Sequence, residues 1–280
     1  MQIIHAPSVI GASITDVDLS QPLSDADFAL IEQTFNQRSV ICIRDQRLNE
    51  GHLVAFARRF GSVEPHFLKH YTHPDHPEIL YISNIKENGK DIGHADAGSV
   101  WHTDMSYTGR PPRATLLYAL EVPMENGVAL GNTLFSSAAA AHDSLPADLR
   151  QRISPLRAIH QVAGRRAKTG TGQQDQALRR EQPAVVHPVV RTHPHTGRKC
   201  LYVSKGECEG IEGMATAEAL ALIDQLADHT VQEQFRYTHR WQVRDLLMWD
   251  NIAVQHKATF DYDPIPRLMY RTTVRGPAVI

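Results

Sequence analysis

The hydrophobic and polar positions along the chain predict that its first part mixes helices and strands. Apolar side chains recur at helical spacing in residues 24–37, where Ser24 and Asp27 form a capping-box arrangement at the start. The same periodicity returns in residues 50–61. Between these two predicted helices, residues 39–45 form a short apolar run of the kind that is typical of a buried strand.

From residue 78 onward the pattern changes to short runs that predict strands. These runs are EILYISN, ATLLYALEV, AVVHPVVRT, KCLYVS, FRYTHRW, DLLMWD and LMYRTTVRG. Two stretches with helical character interrupt them, SSAAAAHDSLPADLRQRI and ATAEALALIDQLADHTV. Many short strands with long inserts favour a sandwich or a jelly-roll barrel over a doubly wound sheet. We therefore expect a β-rich α+β fold, and the lack of a repeat or a convincing linker favours one domain over residues 1–280.

A polar segment, residues 164–183, is predicted to be a long loop and carries five basic side chains. Loops of this length are uncommon unless they are lids, binding loops or disordered segments. A mobile surface loop and a lid over a site are both open at this point.

Composition and charge exclude several classes of protein. Hydrophobic residues make up 42% and charged residues 21% of the 280 residues, which is ordinary for a soluble globular protein. The net charge of -2 gives no electrostatic footprint for nucleic acid or an anionic membrane. Three cysteines, without a signal peptide or a long apolar stretch, favour a reducing cytoplasm.

The motif His-x-Asp occurs three times, and one copy stands in a setting that suits a metal site. The copies are His73/Asp75, His94/Asp96 and His102/Asp104. Prolines near the first copy and the composition around the second favour turns, whereas large apolar or aromatic residues frame the third. In a strand, residues i and i+2 point to the same face, so His102 and Asp104 could converge on one ion. A hydrogen-bonded His–Asp pair at a sheet edge is the alternative.

The C-terminal stretch DLLMWDNIAVQHKATFDYDPIPRLMYRTTVRG suggests a third ligand and two anion-binding side chains. A predicted buried strand leads through WDN to His256. Two histidines and one carboxylate on one face of a metal leave the opposite positions free, which is the usual site of non-haem Fe(II) oxygenases. Arg267 and Arg271 follow, and an arginine in an apolar strand is costly unless it meets an anion. That anion can be a ligand carboxylate or a nearby aspartate such as Asp261 or Asp263.

Four motifs in this order resemble one enzyme family. WHTDMSYTGRPP, HPVVRTHPHTGRK, LLMWDNIAVQHKATFDY and PRLMYRTTVRG are similar to the taurine dioxygenase group of Fe(II)/2-oxoglutarate-dependent oxygenases, which includes the 2,4-dichlorophenoxyacetate dioxygenases. GASITDVDLSQPLSD and VICIRDQRL match its N-terminal part, so the resemblance covers essentially the whole chain. It implies a double-stranded β-helix, or jelly roll, with helical inserts. It also implies that His102, Asp104 and His256 hold Fe(II), and that Thr133 and Arg267 bind 2-oxoglutarate.

The resemblance further implies that Arg271 and His66 bind the anionic end of the primary substrate. The stretch ENGVALGNT is longer than the usual family pattern and has Asn132 in place of an aspartate. By an ungapped count, Lys69 and Gly98 stand where taurine enzymes hold the amine with a tyrosine and an asparagine. A lysine would repel an ammonium group, so the sequence disfavours taurine, and ISNIKENGK is similar to the aryloxyacetate branch.

Together these features predict a dioxygenase that uses Fe(II), 2-oxoglutarate and O2 to hydroxylate a C–H bond, releasing succinate and CO2. The expected substrate is a small organic anion: a sulfonate, a sulfate ester or an (aryloxy)carboxylate. Relatives of this kind are often dimers or tetramers, so a homo-oligomer is a further expectation. Two alternatives stay open. One is a zinc hydrolase that uses the same His/Asp/His site, and the other is a jelly-roll binding protein without catalysis.

Overall fold

The computed structural model describes residues 1–66, 68–95, 98–162, 164–165 and 179–279, and strands dominate it. The α-helices that lie wholly among these residues are α1 (Asp25–Arg38), α2 (Glu50–Arg58), α3 (Ala138–Asp143), α4 (Ala147–Ile153) and α5 (Thr216–Thr230). Short 3-10 helices lie at Lys69–Tyr71 and Glu233–Phe235. The predicted mixture of α and β structure, rich in sheet, is therefore confirmed.

The strands are short, and most follow the apolar runs of the sequence. In chain order they are β1 (Gln2–His5), β2 (Ala12–Thr15), β3 (Val40–Ile43), β4 (Leu80–Ser83), β5 (Lys86–Glu87), β6 (Lys90–Asp91), β7 (Ala114–Glu121), β8 (Met124–Glu125), β9 (Val128–Ala129), β10 (Thr133–Ser137), β11 (Arg157–His160), β12 (Val185–Pro188), β13 (Val190–Thr192), β14 (Lys199–Leu201), β15 (Cys208–Ile211), β16 (Arg236–His239), β17 (Leu246–Asp250), β18 (Val254–Ala258) and β19 (Leu268–Val274).

Two sheets position the site. The major sheet has seven strands in the order β1-β2-β3-β17-β7-β19-β4, and its pairs are antiparallel except for β2 and β3. The minor sheet has three antiparallel strands in the order β16-β10-β18. Further small sheets are β12-β11-β15, β13-β14, β5-β6 and β8-β9.

Buried apolar side chains form three clusters, and the second joins the two main sheets. The first packs α1 and α2 against one side of the major sheet. The second unites Leu117, Trp249 and Met269 of the major sheet with Phe135 and Val254 of the minor sheet. The third lies under α3 and α5. Burial of this apolar surface supplies the main driving force that holds the two sheets together.

The predicted first helix and strand are confirmed in detail. The side chain of Ser24 accepts a hydrogen bond from the main-chain N–H of Asp27 and so caps α1. The run around Cys42 is the fully buried strand β3. None of the helices in the described part of the chain combines the length and the apolar character that a membrane span needs.

The long stretch before Thr133 forms an exposed hairpin. Strands β8 and β9 pair across Asn126 and Gly127, which both have positive φ values, of 50° and 79°. Two successive left-handed residues of this type are what a tight two-residue hairpin turn requires, and Asn-Gly is the preferred pair. The extra residues therefore loop out of the sheet, and β10 still begins at Thr133.

Candidate metal and cosubstrate site

His102 and His256 lie side by side although they come from distant parts of the chain. His256 belongs to β18, and His102 pairs with it in an isolated antiparallel bridge. The main-chain N–H of each residue donates to the carbonyl of the other, over 3.1 Å from His102 and 2.9 Å from His256. The centroids of their imidazole rings are 4.2 Å apart.

The expectation that His102 and Asp104 share a regular strand is wrong. The bridge at His102 is a single pair, and a turn follows in which Met105 has a φ of 50°. The two side chains still face one site because Thr103, between them, points elsewhere. Its hydroxyl lies 2.7 Å from the carbonyl of Val254, which anchors this segment to the start of β18.

Asp104 is buried and uses its two oxygens differently. Oδ2 accepts a hydrogen bond of 2.6 Å from the hydroxyl of Thr115 in β7. Oδ1 lies 3.6 Å from Nε2 of His102 and 3.7 Å from Nε2 of His256. One ligand atom from each of these three residues lies within 4.8 Å of the other two. Two imidazole nitrogens and one carboxylate oxygen therefore converge on one point.

The hydrogen bond of the His102 imidazole and the packing of His256 fit a metal at this point. Nδ1 of His102 is 2.8 Å from the carbonyl of Val100, which can only accept, so Nδ1 carries the proton. Nε2 of His102 is thus left with a lone pair directed at the site, as a metal ligand needs. The ring of His256 is held between aromatic neighbours, with centroids 4.8 Å from Trp249 and 6.0 Å from Phe135.

Burial and the neighbouring charges together set the pKa values of this group. Burial raises the pKa of Asp104, but the Arg271 guanidinium and the two imidazoles outweigh it and hold that pKa well below its usual range. Burial lowers the pKa of His102, and the Asp104 carboxylate reverses the shift. Burial and the neighbouring His102 together lower the pKa of His256. The carboxylate is therefore ionised at neutral pH.

Arg267 and Thr133 lie in the same cavity as the three converging residues. Arg267 is 4% exposed, and burial lowers its pKa. Within the described part of the chain its guanidinium has no carboxylate partner, and it lies near the rings of Trp241 and Tyr262. The hydroxyl of Thr133 accepts a hydrogen bond of 3.2 Å from Trp241, so its own proton is available to another acceptor. A buried cation and a hydroxyl donor thus face this cavity.

Arg271 enters the same cavity from β19. Its guanidinium donates to Oδ1 of Asp104 over 2.7 Å. Arg271 thus does pair with an aspartate, but with Asp104 rather than Asp261, which accepts from the main chain of Gly131 and the hydroxyl of Thr259. The two arginines converge on one cavity.

His66 lies beside this group rather than in the cavity itself. It lines a neighbouring cavity together with Met105, Arg110 and Arg275. Burial lowers its pKa to about 3, and the nearby Arg271 guanidinium adds to the shift. The ring is therefore neutral at physiological pH and can hydrogen-bond, but it adds no charge.

Gly98 borders the cavity, whereas Lys69 is exposed on a short 3-10 helix. Gly98 has a φ of 86°, and a Cβ added there would lie 3.4 Å from Cε1 of His102 and 3.7 Å from Cβ of Ala258. The absent side chain thus leaves space beside an imidazole. Lys69 is not among the residues that line the cavity.

Neither His73 nor Asp75, of the first His-x-Asp copy, lines this cavity. His73 and Asp75 lie in a turn, where the main-chain N–H of Asp75 donates to His73 Nδ1 over 3.1 Å. The polar turn predicted for this copy is confirmed. Asp96 lies outside the described residues, as do residues 166–178 of the predicted loop, so the suggested lid is not described.

Sequence reasoning missed the polar residues behind Asp104. Thr115 and Asn251 are buried and hydrogen-bonded to each other over 2.9 Å. Asn251 stands in the WDN stretch, which marked the approach to His256 but gave no sign of a contact with β7. A second buried cluster, Cys42, His239 and Asp245, also went unpredicted. Oδ2 of Asp245 is already engaged by Arg44, His239 and a main-chain N–H, which fits a structural role.

Comparisons with known sequences point to one family. A family model described as taurine catabolism dioxygenase TauD, TfdA family matches residues 3–273. The chain is similar to the alpha-ketoglutarate-dependent 2,4-dichlorophenoxyacetate dioxygenase of Cupriavidus pinatubonensis (strain JMP 134), with 34% identity over 283 residues, which cover 97% of this chain and 96% of that protein. It is also similar to pentalenolactone F synthase of Streptomyces arenae, with 35% identity over 237 residues, 79% of this chain and 76% of that protein.

Solved structures agree with the sequence comparisons. A taurine dioxygenase from Burkholderia xenovorans superposes with a TM-score of 0.82 at 29% identity, covering 100% of this chain and 92% of the other. The structure of AAD-2 in complex with Mn(II) and N-oxalylglycine superposes with a TM-score of 0.83 at 28% identity, covering 99% and 98%. That relative was crystallised with a metal ion and a dicarboxylic acid.

Proposed function

The chain belongs to the TauD, TfdA family of dioxygenases, and from this premise we propose that it hydroxylates a C–H bond of a small organic anion. Fe(II) is the cofactor, and 2-oxoglutarate and O2 are the cosubstrates. Each turnover consumes one 2-oxoglutarate and one O2 and yields the hydroxylated product, succinate and CO2. We further propose that residues 1–280 form a single domain with a jelly-roll core, built from the major and minor sheets.

The proposed metal ligands are His102, Asp104 and His256. The convergence of one atom from each within 4.8 Å supports this assignment. The donor set of two neutral imidazoles and one carboxylate suits Fe(II) and leaves coordination positions for other ligands. When bound, Fe(II) supplies the centre at which the oxidative decarboxylation of 2-oxoglutarate and the reduction of O2 are coupled. The protein contributes orientation: the bridge between the two histidines and the packing around His256 fix the rings.

The proposed partner of 2-oxoglutarate is Arg267, with Thr133. The observation that carries the proposed function is that the buried Arg267 guanidinium has no carboxylate partner among the described residues, in the cavity of the His/Asp/His group. A buried charge without a counter-ion is costly, and a planar guanidinium binds a carboxylate with two hydrogen bonds. The hydroxyl of Thr133 can donate a further hydrogen bond to the same carboxylate.

For the primary substrate we propose an acid that Arg271 binds, aided by the neutral ring of His66. Arg271 lines the cavity, and its ion pair with Asp104 places a second guanidinium next to the three proposed metal ligands. Two named relatives act on 2,4-dichlorophenoxyacetate and (S)-phenoxypropionate, which are aryloxy acids. The apolar wall formed by Ile82, Leu117 and Trp249 suits the organic part of such a molecule. An aryloxycarboxylate is therefore the leading class, with sulfonates and sulfate esters next.

We also propose a location and an oligomeric state for the protein. A cytoplasmic location is supported by three buried cysteines, none of them in a disulfide. A dimer or a tetramer, without nucleic acid or membrane as a partner, rests on the resemblance and on the near-neutral charge.

The zinc hydrolase and the non-catalytic binding protein are the alternatives to this function. The hydrolase would leave Arg267, beside the three converging residues, without a role. The complete His/Asp/His group counts against a binding protein without catalysis. Oxygen uptake separates the dioxygenase, the hydrolase and the binding protein. It is measured after Fe(II), 2-oxoglutarate and a panel of aryloxy acids, sulfonates and sulfate esters are added to metal-free protein. The proposed enzyme consumes O2 only when Fe(II) and 2-oxoglutarate are both present, and faster with its substrate. Hydrolysis of an ester with Zn(II) and no O2 uptake would indicate the hydrolase.

A further inference from the structure

A chain of hydrogen bonds runs through the buried interior to the carboxylate of Asp104. The indole N–H of Trp249 lies 3.1 Å from Oδ1 of Asn251, and Nδ2 of Asn251 lies 2.9 Å from the hydroxyl oxygen of Thr115. The hydroxyl of Thr115 in turn lies 2.6 Å from Oδ2 of Asp104. Trp249, Asn251, Thr115 and Asp104 are all at most 4% exposed. Solvent therefore does not compete for these contacts.

The chemistry of the groups allows only one direction for this chain. An indole N–H can only donate, so Asn251 Oδ1 is the acceptor and Asn251 Nδ2 must donate to Thr115. With its oxygen already accepting, the Thr115 hydroxyl directs its single proton to Oδ2 of Asp104. Each member is satisfied by its neighbours, which favours one rotamer at every position.

This arrangement makes the two carboxylate oxygens of Asp104 unequal. Oδ2 is bound by Thr115, on the side away from the imidazoles. Oδ1 faces His102 and His256 at 3.6 Å and 3.7 Å, and it also accepts from the Arg271 guanidinium over 2.7 Å. Rotation of the carboxylate to present both oxygens to a metal would break the bond to Thr115 and leave buried polar atoms without partners.

Asn251 also connects the chain to the segment that carries the other ligands. The hydroxyl of Thr103, between His102 and Asp104, lies 3.0 Å from the carbonyl of Asn251. Asn251 itself is the first residue of the turn that leads into β18 and His256. A displacement of Asn251 would therefore shift the positions of all three converging residues.

We propose that Thr115 and Asn251 are positioning residues that hold Asp104 as a monodentate ligand, with Oδ1 alone directed at the metal. This inference rests on the proposed function, because it concerns the same three ligands. Removal of a residue that hydrogen-bonds to a metal ligand typically lowers the metal affinity roughly 10–100-fold. Thr115 can be tested with a nearly isosteric substitution, because valine has the shape of threonine but lacks the hydroxyl.

The test is a titration of metal-free protein with Co(II), whose visible absorption reports both occupancy and coordination number. Thr115→Val is expected to weaken Co(II) binding about 10-fold or more and to change the absorption of the bound ion. Thr115→Ser keeps the hydroxyl and is expected to restore both properties to near the wild-type values. A spectrum and dissociation constant of Thr115→Val equal to those of the wild type would overturn the inference.

Thr272 supplies a matched control in the neighbouring strand β19. It is 1% exposed, and its hydroxyl has no hydrogen-bond partner among the described residues. Thr272→Val is expected to leave Co(II) affinity and spectrum unchanged, and an equal loss in both valine variants would show that general packing is responsible. If Thr115→Val does not fold, Thr115→Ala and Thr272→Ala take their places, with the same two outcomes. Wild-type protein that binds no Co(II) would contradict the proposed metal site itself, which is a different failure.

Discussion

Arg271 donates to Oδ1 of Asp104 over 2.7 Å, and this is the same oxygen that faces the two imidazoles. The side chain proposed to hold the substrate anion thus touches the only carboxylate among the proposed metal ligands. A guanidinium shared in this way connects the two halves of the site. Among the neighbouring charges, the Arg271 guanidinium therefore lowers the pKa of Asp104 the most.

Loss of any one proposed metal ligand is expected to abolish turnover. His102→Ala, Asp104→Ala and His256→Ala each remove one of three converging donor atoms, and the remaining two cannot define the same site. Isothermal titration with Mn(II) and succinate release in the presence of Fe(II) measure the two effects separately.

His73→Ala is the matched control for the ligand variants. His73 lies in the turn of another His-x-Asp copy, near Glu50. The His73→Ala variant should retain most of the metal affinity and turnover of the wild type. A His73→Ala protein as inactive as His102→Ala would mean that the wrong copy was chosen.

Arg267→Ala is expected to weaken the binding of 2-oxoglutarate while metal still binds. Loss of a charge-assisted contact in this buried setting should cost roughly 2–5 kcal/mol. The KM for 2-oxoglutarate should rise steeply, and Thr133→Val should raise it less, because only one neutral hydrogen bond is lost. An unchanged KM in Arg267→Ala would rule out the assignment.

Arg271 should determine the preference for anionic substrates. The wild type is expected to turn over an aryloxy acid in preference to its methyl ester, and Arg271→Ala should lose most of that preference. Initial rates for the matched acid and ester, in both proteins, measure it. Equal turnover of acid and ester by the wild type would contradict an anion site.

The buried His160 should make the protein less stable at mildly acidic pH. Burial lowers its pKa from 6.5 to about 3, and the neighbouring His187 adds to the shift. Between these values the unfolded chain binds a proton that the folded protein excludes. Stability therefore rises with pH from about 3 to 6.5 and is independent of this group above 6.5, with a slope of at most about 1.4 kcal/mol per pH unit.

Urea denaturation at pH 5.5 and pH 7.5 tests this expectation. The free energy of unfolding of His160→Gln should depend less steeply on pH than that of the wild type, because glutamine does not titrate. His5→Gln changes an exposed histidine and should keep the wild-type slope. Equal slopes in all three proteins would show that His160 does not contribute.

Local patterns predicted the local structure and the identity of the converging residues. The Ser24 cap acts within one turn of helix, so sequence alone specifies it. His102 and Asp104 were distinguished from the other copies by their apolar neighbours. The regular strand expected there did not form, because Thr103 bonds to the carbonyls of Asn251 and Val254 and a turn follows.

Contacts between distant strands could not be predicted in this way. Thr115 meets Asp104 and Asn251 only because β7 pairs with β17, and pairing of strands far apart in sequence leaves no local signal. For the same reason the neighbouring cavity of His66 was not anticipated. Residue identities suggest the chemistry of a site, whereas its hydrogen-bond partners depend on the tertiary fold.

The most direct test of the central claim is the isotopic composition of succinate formed under ¹⁸O₂. In the proposed reaction, oxidative decarboxylation puts one atom of O2 into the new carboxylate of succinate. Wild-type protein with Fe(II), 2-oxoglutarate and a substrate acid should yield succinate that carries one ¹⁸O atom, and Asp104→Ala should yield none. Unlabelled succinate, or no succinate with any member of the acid panel, would contradict the assignment of this chain as a 2-oxoglutarate-dependent dioxygenase.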